Sequence, residues 1–213
     1  MLKRIAEKHQ EETISGVENA RRYVEKAANS PKIKYNGFLK ELQALNLKGD
    51  FLEIGAGPAN LTVMIAEQYP GVNITAVEIS AELVTAAREF VKQKQLEKRI
   101  RFVTGDACDE KMTGELGKFD LVFSSFTMHH WEDSEKTIRN LLECVKADGV
   151  LFIYDLKRVW WLYLLPFHNG FFNSIRASYK PREIRSMLKK LGLDQYKIKV
   201  AFPFFMQSII IRK

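Results

Sequence analysis

Apolar residues fall along the chain in two alternating rhythms. Short runs with few polar interruptions, as at Phe51-Leu52-Glu53-Ile54, Ile74-Thr75-Ala76-Val77 and Val150-Leu151-Phe152-Ile153-Tyr154, read as strands covered on both faces. Between them apolar residues recur every three or four positions, the period of a helix with one buried face. The first helix is predicted over residues 1–29, with Ile14, Val17, Ala20 and Val24 as its stripe, ended by Asn29-Ser30-Pro31. A second spans about 36–46, with Phe38, Leu39, Leu42 and Leu45 on one face. A strand follows at 51–54, then a glycine turn. Pro58 is predicted in the first turn of a helix carrying Leu61, Met64, Ile65 and Ala66.

The alternation continues. Strand 73–78 leads to a helix from the N-cap Ser80 to about Lys94, and strand 99–104 follows. Strand 118–124 precedes a helix over Trp131–Val145, with Lys146-Ala147-Asp148-Gly149 as a tight turn into strand 150–154. A last helix starts at Ser178-Tyr179-Lys180-Pro181 and ends at Gly192. Strands 195–200 and 206–212 close the chain around an aromatic turn, Phe202-Pro203-Phe204-Phe205. This order predicts an α/β protein with a mostly parallel sheet and a final antiparallel hairpin.

Composition narrows the class. Of 213 residues, 46% are hydrophobic, enough for a large core in one compact domain. No apolar run reaches membrane-spanning length, and the first residues lack an apolar signal core. The reading is a cytoplasmic protein. Two cysteines, Cys108 and Cys144, make neither a disulfide framework nor a metal cluster. The net charge of +7 comes from basic residues interleaved with Glu, so it gives no strong nucleic-acid signal.

The chemistry concentrates in Phe51–Thr62. Gly55 and Gly57 let the backbone turn close to a ligand. The dinucleotide fingerprint requires a third glycine where Asn60 stands. The pattern Glu53-x-Gly55-x-Gly57-x-Ala59 instead resembles the glycine motif of the Rossmann-like S-adenosylmethionine (SAM) dependent methyltransferases. Their third glycine is replaced here by Ala59, which fits if that residue is already helical. Glu78 ends the second strand 21 residues after Gly57, and Gly105-Asp106-Ala107 follows the third. His129-His130-Trp131, after the fourth strand, resembles small-molecule methyltransferases of the ubiquinone and menaquinone type. Ser124-Ser125-Phe126 stands where enzymes methylating base amino groups often carry an Asn/Asp-Pro-Pro-aromatic motif, which argues against that chemistry.

The resemblance covers residues 36–155 by motif and reaches 212 by element order. It implies a three-layer Rossmann-like sandwich with a seven-stranded sheet. It divides one domain into a helical N-terminal cap (1–46), a SAM-binding core (47–155), an acceptor-side insertion or lid (156–180), and the last helix with the hairpin (181–213). It implies methyl transfer from SAM to a small, apolar or aromatic acceptor, with S-adenosylhomocysteine as product. On this reading Glu53 and the Gly55-Ala56-Gly57 backbone, with Asn60 behind them, seat the amino-acid end of SAM. Glu78 holds the ribose, with Ile79 as an apolar wall. Asp106 and the Ala107 N–H take the adenine, and Ser124 completes the set. An oxygen acceptor needs a base, for which His129 and His130 are the candidates. Tyr23, Tyr35 and Phe38 of the cap are further candidates for ligand contact.

The segment Val159–Phe167 is too short to span a bilayer. Its aromatic side chains suit a lid over the acceptor, or contact with a membrane surface through Trp160 and Trp161. Two adjacent indoles sit poorly in a wholly buried site, because each N–H needs a partner. An RNA or protein methyltransferase and a non-catalytic SAM-binding module stay open as alternatives. A nicotinamide oxidoreductase is disfavoured by Asn60 and the final hairpin.

Overall fold

A computed structural model describes residues 4–5, 16–29, 32–164, 170–201 and 204–213. The apolar runs form strands β1 (Asp50–Ile54), β2 (Asn73–Glu78), β3 (Ile100–Thr104), β4 (Phe119–Ser125) and β5 (Val145–Leu156). These pair in parallel, in the order β3-β2-β1-β4-β5. Strand β7 (Met206–Arg212) runs antiparallel to β5, and β6 (Tyr196–Ala201) lies antiparallel to β7 at the edge. Exposed Lys197 and Lys199 on β6 protect that edge from pairing with another chain.

Alternation along each strand sends neighbours to opposite faces. Phe51 packs with Phe123 and Phe152 under helices α2 (Asn36–Leu45), α3 (Asn60–Gln68) and α4 (Ala81–Gln93). Leu52 and Ile54 pack with Val122, Leu151 and Ile153 under α6 (Ser134–Glu143) and α8 (Pro181–Lys190). The result is a three-layer Rossmann-like sandwich. Helix α1 (Val17–Ala28) lies against α4, where Ala20 and Val24 meet Leu83 and Ala86. Among the described residues, no helix is long and apolar enough to cross a membrane.

Several boundaries differ from the sequence reading. The first helix is described only from Val17, and Arg4 and Ile5 are not helical; residues 6–15 lie outside the described chain. Trp131 precedes α6, which starts at Ser134 because the Asp133 carboxylate accepts the Lys136 N–H. Residues 145–149 are not a turn between helix and strand but a bulge within β5. Phe119 pairs with Val145 and Leu121 with Val150, so extra residues sit opposite Asp120. A Cβ on Gly149 would come within 3.0 Å of the Phe119 carbonyl oxygen, so that position must be glycine. The short α5 (Glu110–Gly114), capped by Asp109, went unforeseen because five residues show no period. The segment 156–180 holds a 3₁₀ turn (Trp160–Leu164) and α7 (Gly170–Ala177); residues 165–169, like Phe202 and Pro203, lie outside the described chain.

Candidate active site

Strand order reverses between β1 and β4, and open α/β sheets bind ligands at such a point, beyond the carboxyl ends of the strands. A cavity of about 700 Å³ lies there. Its floor is the turn after β1. Gly55 (φ +73°) and Gly57 (φ +53°) both occupy the left-handed region. A Cβ on Gly55 would fall 2.5 Å from the Thr127 side chain, whereas one on Gly57 would meet nothing within 4 Å. The first glycine therefore admits Thr127, and the second leaves open space beside the cavity. Ala59 is not helical, as the sequence reading supposed. It is the residue before α3, at φ +60°, where an alanine carries about 1–2 kcal/mol of strain that glycine would not. Pro58 likewise lies in the turn before α3 rather than within its first turn.

Two carboxyls stand over this floor. Glu53 is buried and accepts the Thr62 hydroxyl at 2.5 Å. Burial pushes its pKa up to about 8; the Thr62 hydrogen bond opposes the rise and the Glu78 charge adds to it. Glu78, ending β2, accepts the Gly57 N–H at 2.9 Å on one oxygen and the Ser80 N–H at 3.1 Å on the other. Each carboxylate oxygen has a second acceptor site, so a pair of vicinal hydroxyls can donate to the same group. Beside it Ile79 is 56% exposed while lining the cavity. Asp106 accepts the Cys108 N–H at 2.8 Å, and Ala107 and Ala56 complete this end.

The cavity does not bring in Asn60 or Ser124 among its lining residues. Asn60 turns away, donating its amide to the Ala27 carbonyl at the end of α1, and so fixes α1 beside α3. Ser124 is fully buried and donates to the Ile54 carbonyl at 3.1 Å, joining β4 to β1. In both, a buried polar side chain donates to a backbone carbonyl of a neighbouring element.

Part of the cavity lining is aromatic. Tyr23, Tyr35, Phe126, Tyr154, Phe171 and Phe205 contribute to it. Phe38 does not; it is fully buried, stacked on Phe152 at 4.7 Å between ring centroids. Phe126 sits at φ +56°, an unusual conformation for a bulky residue, held by its N–H bond to the Tyr154 carbonyl at 2.9 Å and by edge contacts with Tyr35 and Tyr154. Trp160 and Trp161 are absent from this lining and stand exposed on another surface, so the expected aromatic lid is not made by the tryptophans.

His129 and His130 both line the cavity, their ring centroids 4.0 Å apart. His129 is clamped by Asp155, near the end of β5. The Asp155 carboxylate accepts the His129 backbone N–H at 2.9 Å, and its other oxygen lies 2.7 Å from the ring Nδ1. A carboxylate accepts, so a proton on Nδ1 suits this contact. Arg4 reaches across to donate to the His129 carbonyl at 2.9 Å. Asp155 was visible in sequence only as an acid ending an apolar strand. Thr127 carried no signal at all, because its role comes from its approach to Gly55.

Residues 52–151 match a family model described as a methyltransferase domain. A malonyl-[acyl-carrier protein] O-methyltransferase from Acetivibrio thermocellus is 31% identical over 103 residues, 48% of this chain and 34% of the relative. A ubiquinone biosynthesis O-methyltransferase from Coxiella burnetii is 28% identical over 123 residues, 57% of this chain and 50% of the relative. The matched stretches thus span between a third and a half of these relatives. Among solved structures, the plantazolicin methyltransferase BpumL in complex with SAH superposes with a TM-score of 0.68 at 15% identity, covering 90% of both chains.

Proposed function

We propose that this chain, a member of the Rossmann-like SAM-dependent methyltransferases by fold and by the methyltransferase domain at residues 52–151, transfers a methyl group to a small apolar or aromatic acceptor. One observation carries the reading. Glu78 is fixed by the N–H groups of Gly57 and Ser80 in a cavity that is also lined by aromatic side chains. The residues present fit a nucleoside with an amino-acid tail. Gly57 leaves room for it, Glu78 can take the ribose hydroxyls, and exposed Ile79 gains a flat ring to cover. Asp106 and the Ala107 backbone then face the adenine end, while Glu53 and the Gly55–Gly57 turn face the amino-acid end. The SAH complex of BpumL, with the same fold, supports this choice of cofactor.

When bound, SAM supplies an electron-poor sulfonium methyl. The protein's work is to hold the acceptor in line with that methyl and to keep water out. The aromatic lining does both. We read residues 1–46 as the cap that brings Tyr23 and Tyr35 over the cavity, and 156–180 as the wall that adds Phe171. An oxygen acceptor would need a base. That acceptor's proton would pass to His129 Nε2, the position that a proton on Nδ1, facing Asp155, leaves basic. Asp155 is a positioning residue on this account.

Turnover of labelled SAM with a panel of phenols, quinols and carboxylic acids tests the reading. Asp155→Asn should lower kcat by about tenfold or more. It should also shift the acidic limb of the pH profile, where a general base becomes protonated, and leave SAM affinity unchanged. Wild-type kcat and pH profile in a folded Asp155→Asn enzyme would remove His129 from the mechanism.

A further inference from the structure

A second groove lies outside the cavity, between the 3₁₀ turn at Trp160–Leu164, the start of α8 and the β6–β7 connection. Lys157, Lys180, Arg182 and Arg185 line it together with Trp160, Trp161 and Phe204. Arg158 also lines it, but is buried, and its charge is met by Glu183. Among the described residues, no carboxylate lines the groove. The three aromatic side chains are 64%, 43% and 72% exposed. Large apolar rings clustered in water are costly, and such a patch marks an interaction site.

We infer that this face docks the protein on an anionic membrane surface, with Trp160, Trp161 and Phe204 entering the headgroup region and the basic side chains meeting lipid phosphates. Two features favour lipid over an acidic protein. Indoles combine an apolar body with one N–H donor, which suits the boundary between acyl chains and headgroups. Basic residues surrounding the rings supply the electrostatic half of interfacial binding.

The groove is also continuous with the cavity wall. Phe204 belongs to the outer face, and its neighbour Phe205 lines the cavity against Phe171. The Lys157 N–H holds the Phe205 carbonyl at 2.6 Å, tying the two surfaces together. Docking would therefore set the aromatic lining of the cavity beside the bilayer, and the acceptor would be an amphiphile drawn from it. That last step rests on the proposed methyl transfer; the docking itself does not.

The test is co-sedimentation of the full chain with vesicles of phosphatidylcholine alone and of phosphatidylcholine mixed with phosphatidylglycerol. Partition into the anionic vesicles is expected, falling as salt rises. Tryptophan emission should shift to the blue; since Trp131 is buried, the change would come from Trp160 and Trp161. Trp160→Ser with Trp161→Ser and, separately, Arg182→Glu with Arg185→Glu should each weaken partition by about tenfold or more. SAM titration of the same variants, expected unchanged, shows that they fold. If wild type binds vesicles but not SAM, the methyltransferase reading fails and docking survives. No partition of wild type into anionic vesicles, or partition indifferent to both double variants, overturns the docking. Saturable binding of an acyl carrier protein at this face, without vesicle binding, would overturn it in favour of a protein partner.

Discussion

The cavity lining has two sets of residues, one under Glu78 and one aromatic, called here its two ends, and they are built in different ways. The end under Glu78 is made of backbone turns and of side chains that stand at strand ends, so its parts come from short stretches at regular intervals: Glu53 to Gly57, Glu78 to Ser80, Gly105 to Ala107. The aromatic end is assembled from single residues far apart in the chain, Tyr23, Phe126, Tyr154, Phe171 and Phe205. The first end is rigid because the sheet fixes it. The second takes its shape from whichever segments happen to pack over the strand ends. One is suited to a constant ligand and the other to a varied one.

If that contrast is right, the largest effect should come from the turn. Gly55→Ala combines a positive φ with a 2.5 Å clash against Thr127. It should cost about 2 kcal/mol or more, a fall in Tm of roughly 4–8 °C by calorimetry. Next comes Glu78→Ala, which should weaken SAM binding by about tenfold or more, or about 1.4 kcal/mol, read by titration. Phe205→Ala should do the reverse of this. By losing an aromatic contact worth about 1 kcal/mol it should raise the acceptor KM severalfold and leave SAM affinity alone. A change in SAM affinity there would blur the division between the two ends.

A pH test separates the ends further. The folded pKa of Glu53 lies above its ordinary value, so its contribution to stability is fully present below about 4.5 and is lost as pH rises through about 8. Without ligand, the Tm of wild type should decline across that window, and Glu53→Gln should flatten the decline. The smallest effect should be Ala59→Gly. Relief of about 1–2 kcal/mol of left-handed strain is opposed by the added freedom of the unfolded chain and by a lost buried methyl. Net stability should stay within about 1 kcal/mol of wild type, whereas a helical position 59 would lose clearly by the change.

These differences explain what was legible in the sequence. The order of elements along the chain and the closing hairpin follow from local periodicity, and the Glu53–Gly57–Glu78–Asp106 series was proposed from the resemblance of short motifs; both rest on stretches that a single chain displays. Asn60 and Ser124 were read into the site from their positions on its elements, but each satisfied a backbone carbonyl instead. Ala59 was expected to replace the family's third glycine without strain on the condition that it is helical; its φ of +60° in the turn before α3 removes that condition. The Asp155–His129 clamp and the approach of Thr127 to Gly55 join residues 26 and 72 positions apart in sequence, and no local pattern announces such contacts. The bulge of β5 was hidden for the same reason: its glycine is required by the carbonyls of β4, not by its own neighbours.

Isothermal titration of the purified chain with SAM and S-adenosylhomocysteine, with NAD in a parallel cell, tests the central claim most directly. Saturable binding of both adenosyl ligands, none of NAD, and weakening by Glu78→Ala are the predicted results. Absence of adenosyl binding, or affinity untouched in a folded Glu78→Ala variant, would contradict it.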